Sequence, residues 1–259
     1  MNIARCFAII SFLIIPSLQA QTNVTLTYED VDSYPWNLKD GSGIDLILLK
    51  MVDEALPEVT FTYAQAPWKR CLANIKTGKV EGCFTASFKE KRKAFGFYPG
   101  LHVGAEVNEN WRLHASSYSL YVLKDSNIDV DGNLSIKGLK GKVAAPSGYS
   151  IGGDLEKAGY TVDATAPKTA NNFQKLLLGR VGAVAALTLN GNNILANQEK
   201  YSAKIQVIEQ PLISKPYYLM LSKQFVSKNK ALAEEIWSKI AEIRETKEFK
   251  DKAGAFLAK

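Results

Sequence analysis

The chain is poor in the side chains that build metal sites and nucleophilic active sites. Its 259 residues include two histidines, His102 and His114, and three cysteines, and they contain neither Cys-x-x-Cys nor His-Glu-x-x-His. Two histidines are too few for a credible catalytic triad, and the cysteine and histidine spacings argue against a dedicated zinc site. The sequence therefore predicts no enzymatic activity, no metal and no cofactor.

Long apolar runs are absent as well. A span across a bilayer needs ~20 apolar residues, and no such run occurs in the sequence. Residues 1–20 hold one charge, at Arg5, then an apolar core from Cys6 to Ile15 and a short stretch that ends at Ala20. This is the pattern of a secretory signal peptide. We expect cleavage near Ala20 and an exported mature protein without a membrane anchor.

Neither a strong charge of one sign nor a repeat is present. The formal net charge is +6 at pH 7, and acidic residues lie between the basic ones in most stretches. No basic stripe indicates nucleic acid as a partner, and no repeat has a solenoid period. With 46% apolar residues, the chain can bury one large core or two smaller ones.

Two cysteines remain after the predicted cleavage, Cys71 and Cys83. They fall on a predicted helix and on the strand that follows it, and an oxidising compartment permits a bridge between them. Closing such a short loop would stabilise the protein by roughly 3 kcal/mol if the bridge were unstrained. A pair of buried free thiols is the equal alternative.

The most informative segment covers residues 67–99. Apolar residues at Trp68, Leu72 and Ile75 recur on one helical face and predict a helix over 68–76, which Gly78 ends. A strand over 80–86 should follow.

Polar side chains cluster at the end of that predicted strand. Thr85, Ser87 and Arg92 supply two hydroxyls and a guanidinium, and a guanidinium can fork onto a carboxylate. This chemistry suits a small anion. The alternative is a surface turn whose arginine meets solvent.

The rest of the chain alternates strands and helices. We predict strands over 24–28, 59–63, 119–124, 142–145, 160–162, 181–186 and 217–222, and helices over 44–56, 151–158, 170–178 and around 232–243. Two similar series of this kind argue for two lobes, each a parallel sheet covered by helices.

The layout also predicts where the chain passes between the lobes. The crossings are expected near 117–124 and 213–221, so that lobe 1 holds residues 21–117 and 213–259 and lobe 2 holds residues 118–212. Closure of two lobes about such a hinge is a common response to a ligand.

The order of these motifs resembles family 3 of the periplasmic solute-binding proteins, the receptors of polar amino-acid uptake. The matching runs within 67–99 are Pro-Trp, Lys-Thr-Gly-Lys-Val-Glu-Gly, Ser-x-x-x-x-Arg and an aromatic-proline pair, followed by 139–143, 148–150 and 178–183. The resemblance covers most of the mature chain. It implies a type II periplasmic-binding-protein fold: α/β, with two lobes, each a mainly parallel sheet covered by helices, joined by a two-segment hinge.

The resemblance implies roles for residues of the first lobe. Arg92 matches the arginine that grips the ligand carboxylate, Thr85 and Ser87 match positions that line the same end of the site, and Trp68 matches an aromatic wall. Plain core packing is the alternative for Trp68.

Further candidates come from two loops. Tyr149 and Ser150 stand between a strand and a helix, where free N–H groups and the helix dipole favour anions, and Ser150 can also cap that helix. In the first loop, Tyr34 and Trp36 are candidate walls and Glu29 could meet a ligand cation. Solvent exposure is the alternative for these three.

One departure from the family pattern concerns Leu187. In amino-acid-binding members an aspartate at this place pairs with the ligand's α-ammonium group, and Gly182 replaces an earlier aspartate. Either Glu29 or Asp30 takes over that pairing, or the ligand is a carboxylate or other small anion without an α-ammonium group.

The resemblance implies a non-enzymatic, monomeric receptor. It would bind an amino acid or related carboxylate in the interlobe cleft and deliver it to the permease of an inner-membrane ABC transporter. Two alternatives stay open. One is a dehydratase-like enzyme on the same fold that uses Glu29 or Asp30 as its acid; the other is an orphan solute sensor that contacts a signalling partner.

Overall fold

The structure is a computed structural model that describes residues 21–104 and 106–258. The predicted signal peptide, residues 1–20, lies outside the described residues. The described chain is an α/β protein built around a ten-stranded mixed sheet and a separate two-stranded hairpin.

Strands and helices alternate through most of the chain. The strands are β1 Thr22–Glu29, β2 Val59–Ala66, β3 Gly82–Ser87, β4 Gly96–Phe97, β5 His114–Leu123, β6 Asp129–Gly132, β7 Ser135–Lys137, β8 Val143–Ala144, β9 Val162–Asp163, β10 Ala183–Leu187, β11 Ile205–Val207 and β12 Ile213–Ser222. The α-helices are α1 Ile44–Ala55, α2 Trp68–Lys76, α3 Ser150–Lys157, α4 Thr169–Leu177, α5 Thr188–Asn197, α6 Glu199–Ser202, α7 Lys223–Lys228, α8 Lys230–Arg244 and α9 Lys247–Leu257. Short 3-10 helices cover Glu90–Ala94, Leu101–Val103 and Glu109–Trp111.

The large sheet has a parallel group of strands on each side. On one side β1 lies between β2 and β3 and is parallel to both. On the other side β8 lies between β9 and β10 and is parallel to both. The two sides are called the first half and the second half below.

Strands β5 and β12 join the two halves. Residues 213–217 of β12 pair antiparallel with β5, whereas residues 217–221 pair antiparallel with β3. Residues 118–121 of β5 pair in turn with β10. The predicted crossing segments fall on these two strands, and the lobe boundaries drawn from them stay a prediction.

Each half has a large apolar core of its own. In the first half, Leu48 of α1 and Trp237 of α8 are fully buried in one cluster with residues of β1 and β2. In the second half, Leu120, Val143 and Leu155 belong to another. Because apolar burial is satisfied within each half, polar side chains can line the boundary between them.

Most predicted elements are confirmed, with shifted ends. Helix α2 has the predicted bounds 68–76. Strands β5 and β12 begin earlier than predicted, at His114 and Ile213, because their first residues pair with each other across the fold. Throughout residues 21–104 and 106–258, every helix is too short or too polar to cross a membrane.

Candidate functional site

Arg92 is a buried cation whose protein contacts are all neutral. It lies in the short 3-10 helix after β3 and is 4% exposed. One terminal nitrogen donates to the carbonyl of Ser87 at 2.6 Å and to the Tyr98 hydroxyl at 3.4 Å, and the other donates to the carbonyl of Gly148 at 3.2 Å. The guanidinium also lies 5.2 Å from the centre of the Trp68 ring.

The Arg92 guanidinium has N–H donors that its contacts do not use. An arginine has five N–H donors, and the three contacts of Arg92 leave its Nε–H and one Nη2 hydrogen without an acceptor among the described residues. None of the ion pairs found among those residues includes Arg92. Since a buried charge without a counter-charge is costly, an anionic ligand would relieve this one.

Arg92 faces a small cavity between the two halves. The cavity holds about 20 Å³ of free space, roughly the room for one water molecule. Glu29, Ser87 and Leu187 are the last residues of β1, β3 and β10, so the cavity lies at the carboxyl ends of the strands, where α/β sheets bind ligands. Its walls are Glu29, Ser33, Asn37, Trp68, Phe84, Thr85, Ser87, Arg92, Tyr118, Tyr149, Ser150, Leu187 and Tyr217.

The second half reaches the cavity through the loop that precedes α3. The carbonyl of Gly148 accepts hydrogen bonds from Arg92 and from the Trp68 indole, both at 3.2 Å. Gly148 has a φ of +84°, a conformation that favours glycine, and a Cβ there would come within 3.2 Å of Trp68. The Ser87 hydroxyl donates to Ser150 Oγ at 2.8 Å.

Ser150 does not cap the helix, contrary to the sequence prediction. Helix α3 begins at Ser150 itself, and the capping position is Tyr149, which makes no side-chain cap bond. The hydroxyl of Ser150 is used across the cavity instead, because Ser87 lies directly opposite.

Residues 148–152 also read Gly-x-Ser-x-Gly, a pattern that hydrolases use to present a nucleophilic serine. Such a serine needs a base within hydrogen-bond reach. In the described chain the hydrogen-bond partners of Ser150 Oγ are Ser87 and Lys215. Lys215 is ion-paired with Asp154, and the two histidines bond to acids elsewhere. The pattern here does not form a nucleophile.

Glu29 is the one carboxylate on the cavity wall. It is 7% exposed and accepts a hydrogen bond from the Tyr149 hydroxyl of the second half. Burial raises the pKa of the Glu29 carboxyl from 4.5 to about 7, although the Tyr149 hydrogen bond acts in the opposite direction. The carboxyl therefore holds its proton to a higher pH than an ordinary glutamate does. The other predicted acid, Asp30, lies outside the cavity.

Thr85 lines the cavity, but its hydroxyl forms a hydrogen bond with a residue behind the cavity wall. The side chain donates to Asp45 Oδ2 at 2.7 Å, and Asp45 Oδ1 lies 2.7 Å from Nδ1 of His114. Trp36 stacks on that histidine with ring centres 3.6 Å apart. This network supports the cavity floor from below.

Two predicted walls are not brought to the cavity. Trp36 packs on His114, and Tyr34 lines a neighbouring groove, with its ring centre 6.5 Å from that of Phe256. The loop turns back on itself between Ser33 and Asn37, which exchange a β-bridge, and this turn presents those two residues to the cavity. The hydroxyl of Ser33 is buried and has no hydrogen-bond partner among the described residues.

Several cavity residues lay outside the sequence prediction. Tyr118 and Tyr217 come from the crossing strands, and their hydroxyls are 2.8 Å apart. The sequence signal that could have identified these two tyrosines is their position on the predicted crossing segments. Leu187 does lie on the wall, so the departure noted in the sequence falls within the site. At Gly182, a Cβ would overlap the carbonyl oxygen of Lys140, so an aspartate does not fit there.

Cys71 and Cys83 are free thiols in the structure, both fully buried. Burial raises the pKa of Cys71 to about 11 and the pKa of Cys83 well above its usual range. Both are therefore protonated near neutral pH. In the part of the chain that the structure describes, no three His, Cys, Asp or Glu side chains are grouped so as to hold a metal ion.

Solved structures share this fold. A histidine kinase sensor domain with similarity to periplasmic binding proteins matches with a TM-score of 0.71 and 17% identity, over 92% of this chain and 97% of that one. The arginine-, lysine-, histidine-binding protein ArtJ from Geobacillus stearothermophilus matches with 0.68 and 18%, over 90% and 96%. The substrate binding protein of an amino acid ABC transporter matches with 0.67 and 14%, over 92% and 100%.

These neighbours confirm the fold that the resemblance implied, a two-lobed α/β fold of the periplasmic-binding-protein type, and they include amino-acid-binding proteins. At such low identities the likeness shows the fold alone. No protein-family model and no curated protein matches the sequence.

Proposed function

We propose that this chain is an exported receptor that binds a small polar solute, an amino acid or related carboxylate, in the Arg92 cavity. The observation that carries the proposal is the buried guanidinium without an acidic partner. Its Nε–H and one Nη2–H have no acceptor among the described residues, and a guanidinium with two free donors can grip a carboxylate with two parallel hydrogen bonds. Ser33 and Ser87 supply hydroxyls beside it.

Entry of such a solute requires the two halves to part. The cavity has room for about one water molecule. The contacts that close it include Ser87 with Ser150, Arg92 and Trp68 with Gly148, and Glu29 with Tyr149. In this proposal residues 21–117 and 213–259 form one lobe, residues 118–212 form the other, and β5 and β12 bend between them. The ligand then selects the closed arrangement.

The test is a thermal-shift screen of the mature protein against amino acids, dicarboxylates, polyamines and small sugars. A ligand at a hundred times its Kd adds about 2.7 kcal/mol, which corresponds to roughly 5 to 10 °C at this size. We expect carboxylates to raise the melting temperature of the wild type and not that of Arg92→Lys. Lysine keeps the charge but cannot form the two parallel hydrogen bonds of a guanidinium. The exposed Arg180→Lys is the matched control. An equal thermal shift in Arg92→Lys would show that Arg92 does not bind the ligand.

We propose an inner-membrane ABC transporter as the partner and a periplasmic monomer as the form that delivers the solute. The neighbour that belongs to an amino acid ABC transporter supports this partner, and the histidine kinase sensor domain supports the alternative of a signalling partner. Addition of the liganded protein to a reconstituted permease should raise its ATPase activity. Binding to a kinase's periplasmic domain without such stimulation would favour the sensor.

One observation supports the alternative of a dehydratase-like enzyme. Glu29 is a buried carboxyl on the cavity wall with a pKa near 7, which is the range that suits a general acid or base. Time-dependent loss of a cyclohexadienyl substrate, abolished by Glu29→Gln, would establish that function. A binding protein leaves the substrate intact.

A further inference from the structure

The larger free space of the cleft lies outside the Arg92 cavity. Two neighbouring pockets hold about 260 Å³ and about 360 Å³, and they share Val31, Lys39, Pro167 and Lys168 as walls. Together they form one groove, called the outer groove below. Its free space is in the range of ligand sites, about 300 to 1,000 Å³.

The outer groove adjoins the cavity. Glu29 and Trp68 wall both the cavity and the larger pocket, and Tyr149 walls both the cavity and the smaller one. The hydrogen bond between Tyr149 and Glu29 thus stands at their common boundary. A ligand that parts this bond can occupy both spaces at once.

One wall of the outer groove is rich in amides. Asn190, Asn193 and Asn197 recur on one face of α5, and Gln198 follows them. Asn190 donates to the carbonyl of Asp32 at 2.7 Å, and Asn197 donates to Asn193. The Nδ2 of Asn193, the Oδ1 of Asn197 and the whole Gln198 amide have no side-chain partner among the described residues. Amides offer both donors and acceptors, which is what a peptide group requires.

The charges differ between the two spaces. The cavity has a cation, Arg92, while Glu29, the one acid among the described residues of its wall, has a pKa raised by burial and is already bonded to Tyr149. Leu187 adds an apolar wall. The cavity therefore suits a carboxylate but not an ammonium group beside it. The outer groove is lined by two further acids, Asp30 and Asp32, and by three lysines, Lys39, Lys69 and Lys168.

From the single cation of the cavity and the larger free space that adjoins it, we infer that the ligand is an amino acid acylated on its α-nitrogen, such as a short peptide with a free C-terminal carboxylate. The carboxylate binds Arg92, and the acylated nitrogen, now a neutral amide, lies at the boundary near Glu29. The acyl part occupies the outer groove against the amides of α5. This inference rests on the proposed function of the Arg92 cavity.

The test is calorimetry of the mature protein with three matched sets: the free L-amino acids, their N-acetyl derivatives and the glycyl dipeptides that end in the same residue. Amine-free dicarboxylates are the fourth set. We expect at least one acetylated or glycyl compound to bind about tenfold or more tightly than its free amino acid, and its C-terminal amide to lose that binding.

Two variants of the outer groove locate the effect. Asn193→Trp fills the groove and should weaken binding of the best dipeptide at least about tenfold, and Asn193→Ala should weaken it less. Asn74→Trp, at a half-buried helical asparagine that does not line the groove, is the control. Circular dichroism shows whether each variant folds, and Asn193→Ala keeps the test valid if the tryptophan is not tolerated.

Each outcome decides the inference. Free amino acids that bind as tightly as their acylated forms overturn it and leave the proposed function intact. Binding by the amine-free dicarboxylates alone does the same. If the dipeptide affinity is unchanged in both Asn193 variants, the outer groove is not part of the binding site and the inference is overturned. If no set binds at all, the proposed function falls together with the inference.

Discussion

Replacement of Glu29 by glutamine should change how the stability of the protein depends on pH. Burial raises the pKa of Glu29 from 4.5 to about 7 in the folded state. An acid whose folded pKa lies above its unfolded value holds its proton more tightly when folded. Its stabilising contribution is therefore fully present below pH 4.5 and is lost as the pH rises through 7.

The size of the effect follows from the gap between the two pKa values. Each pKa unit corresponds to 1.36 kcal/mol, so the gap represents roughly 3 kcal/mol of unfolding free energy, most of it between pH 5 and pH 8. Glutamine removes the titration and keeps the side-chain size and an acceptor for Tyr149. The stability of the wild type relative to Glu29→Gln should therefore fall by roughly 2 to 3 kcal/mol from pH 5 to pH 8.

Urea unfolding of both proteins at pH 5, 6, 7 and 8 measures this difference. Glu54→Gln, at an exposed position of α1, is the control for loss of one negative charge. A wild-type to Glu29→Gln difference that stays constant within about 0.5 kcal/mol, the scale of surface substitutions, would refute the reasoning. It would mean that water reaches Glu29 and that the contact with Tyr149 does not close this end of the cavity.

Two further predictions test the packing of the second half and the closure of the cavity. Gly182→Ala should destabilise the protein by about 1 to 3 kcal/mol or more in urea, because the new Cβ overlaps the Lys140 carbonyl. Gly254→Ala, in helix α9 with no described atom within 4 Å of the new Cβ, should instead stabilise by about 0.5 to 1 kcal/mol. The double variant Ser87→Cys with Ser150→Cys should form a disulfide on oxidation, since the two hydroxyls are 2.8 Å apart.

Each of these predictions has a contrary result. Equal stabilities of the two glycine variants would mean that the backbone around Gly182 is loose. In the oxidised double cysteine variant, the thermal shift by the best carboxylate of the screen should vanish and return on reduction. Cross-linking that leaves ligand binding unchanged would show that the cavity does not open at Ser87 and Ser150. The single cysteine variants are the controls.

Local sequence signals predicted the segment around Arg92 well. The helix over 68–76 is correct because its apolar period and the glycine after it are properties of the segment itself. Ser87 and Arg92 reach the cavity because Ser87 ends a short buried strand and Arg92 follows it, and the end of such a strand must lie at the sheet edge. Burial of Leu187 in the same wall agrees with the position that the resemblance marked.

Long-range strand pairing and loop conformation could not be predicted from the sequence. Strand β12 starts at Ile213 because it pairs with β5, a partner that lies far away in the chain. Tyr34 and Trp36 were predicted as ligand walls, but the turn between Ser33 and Asn37 presents other side chains to the cavity, and Tyr34 lines the outer groove instead. Besides its own backbone bonds, this turn is held by the start of α1, where Ile44 and Asp45 donate to the carbonyls of Pro35 and Trp36.

The sequence by itself determined the α/β class, the alternation of elements and the concentration of polar residues at strand ends, because periodicity and turn chemistry act over a few residues. Only the tertiary structure decided that Arg92 is buried without an acid, that Glu29 meets Tyr149 and that the amides of α5 line an outer groove. These features join residues from separate halves of the sheet. Their burial and charge balance exist only once β5 and β12 bring the halves together.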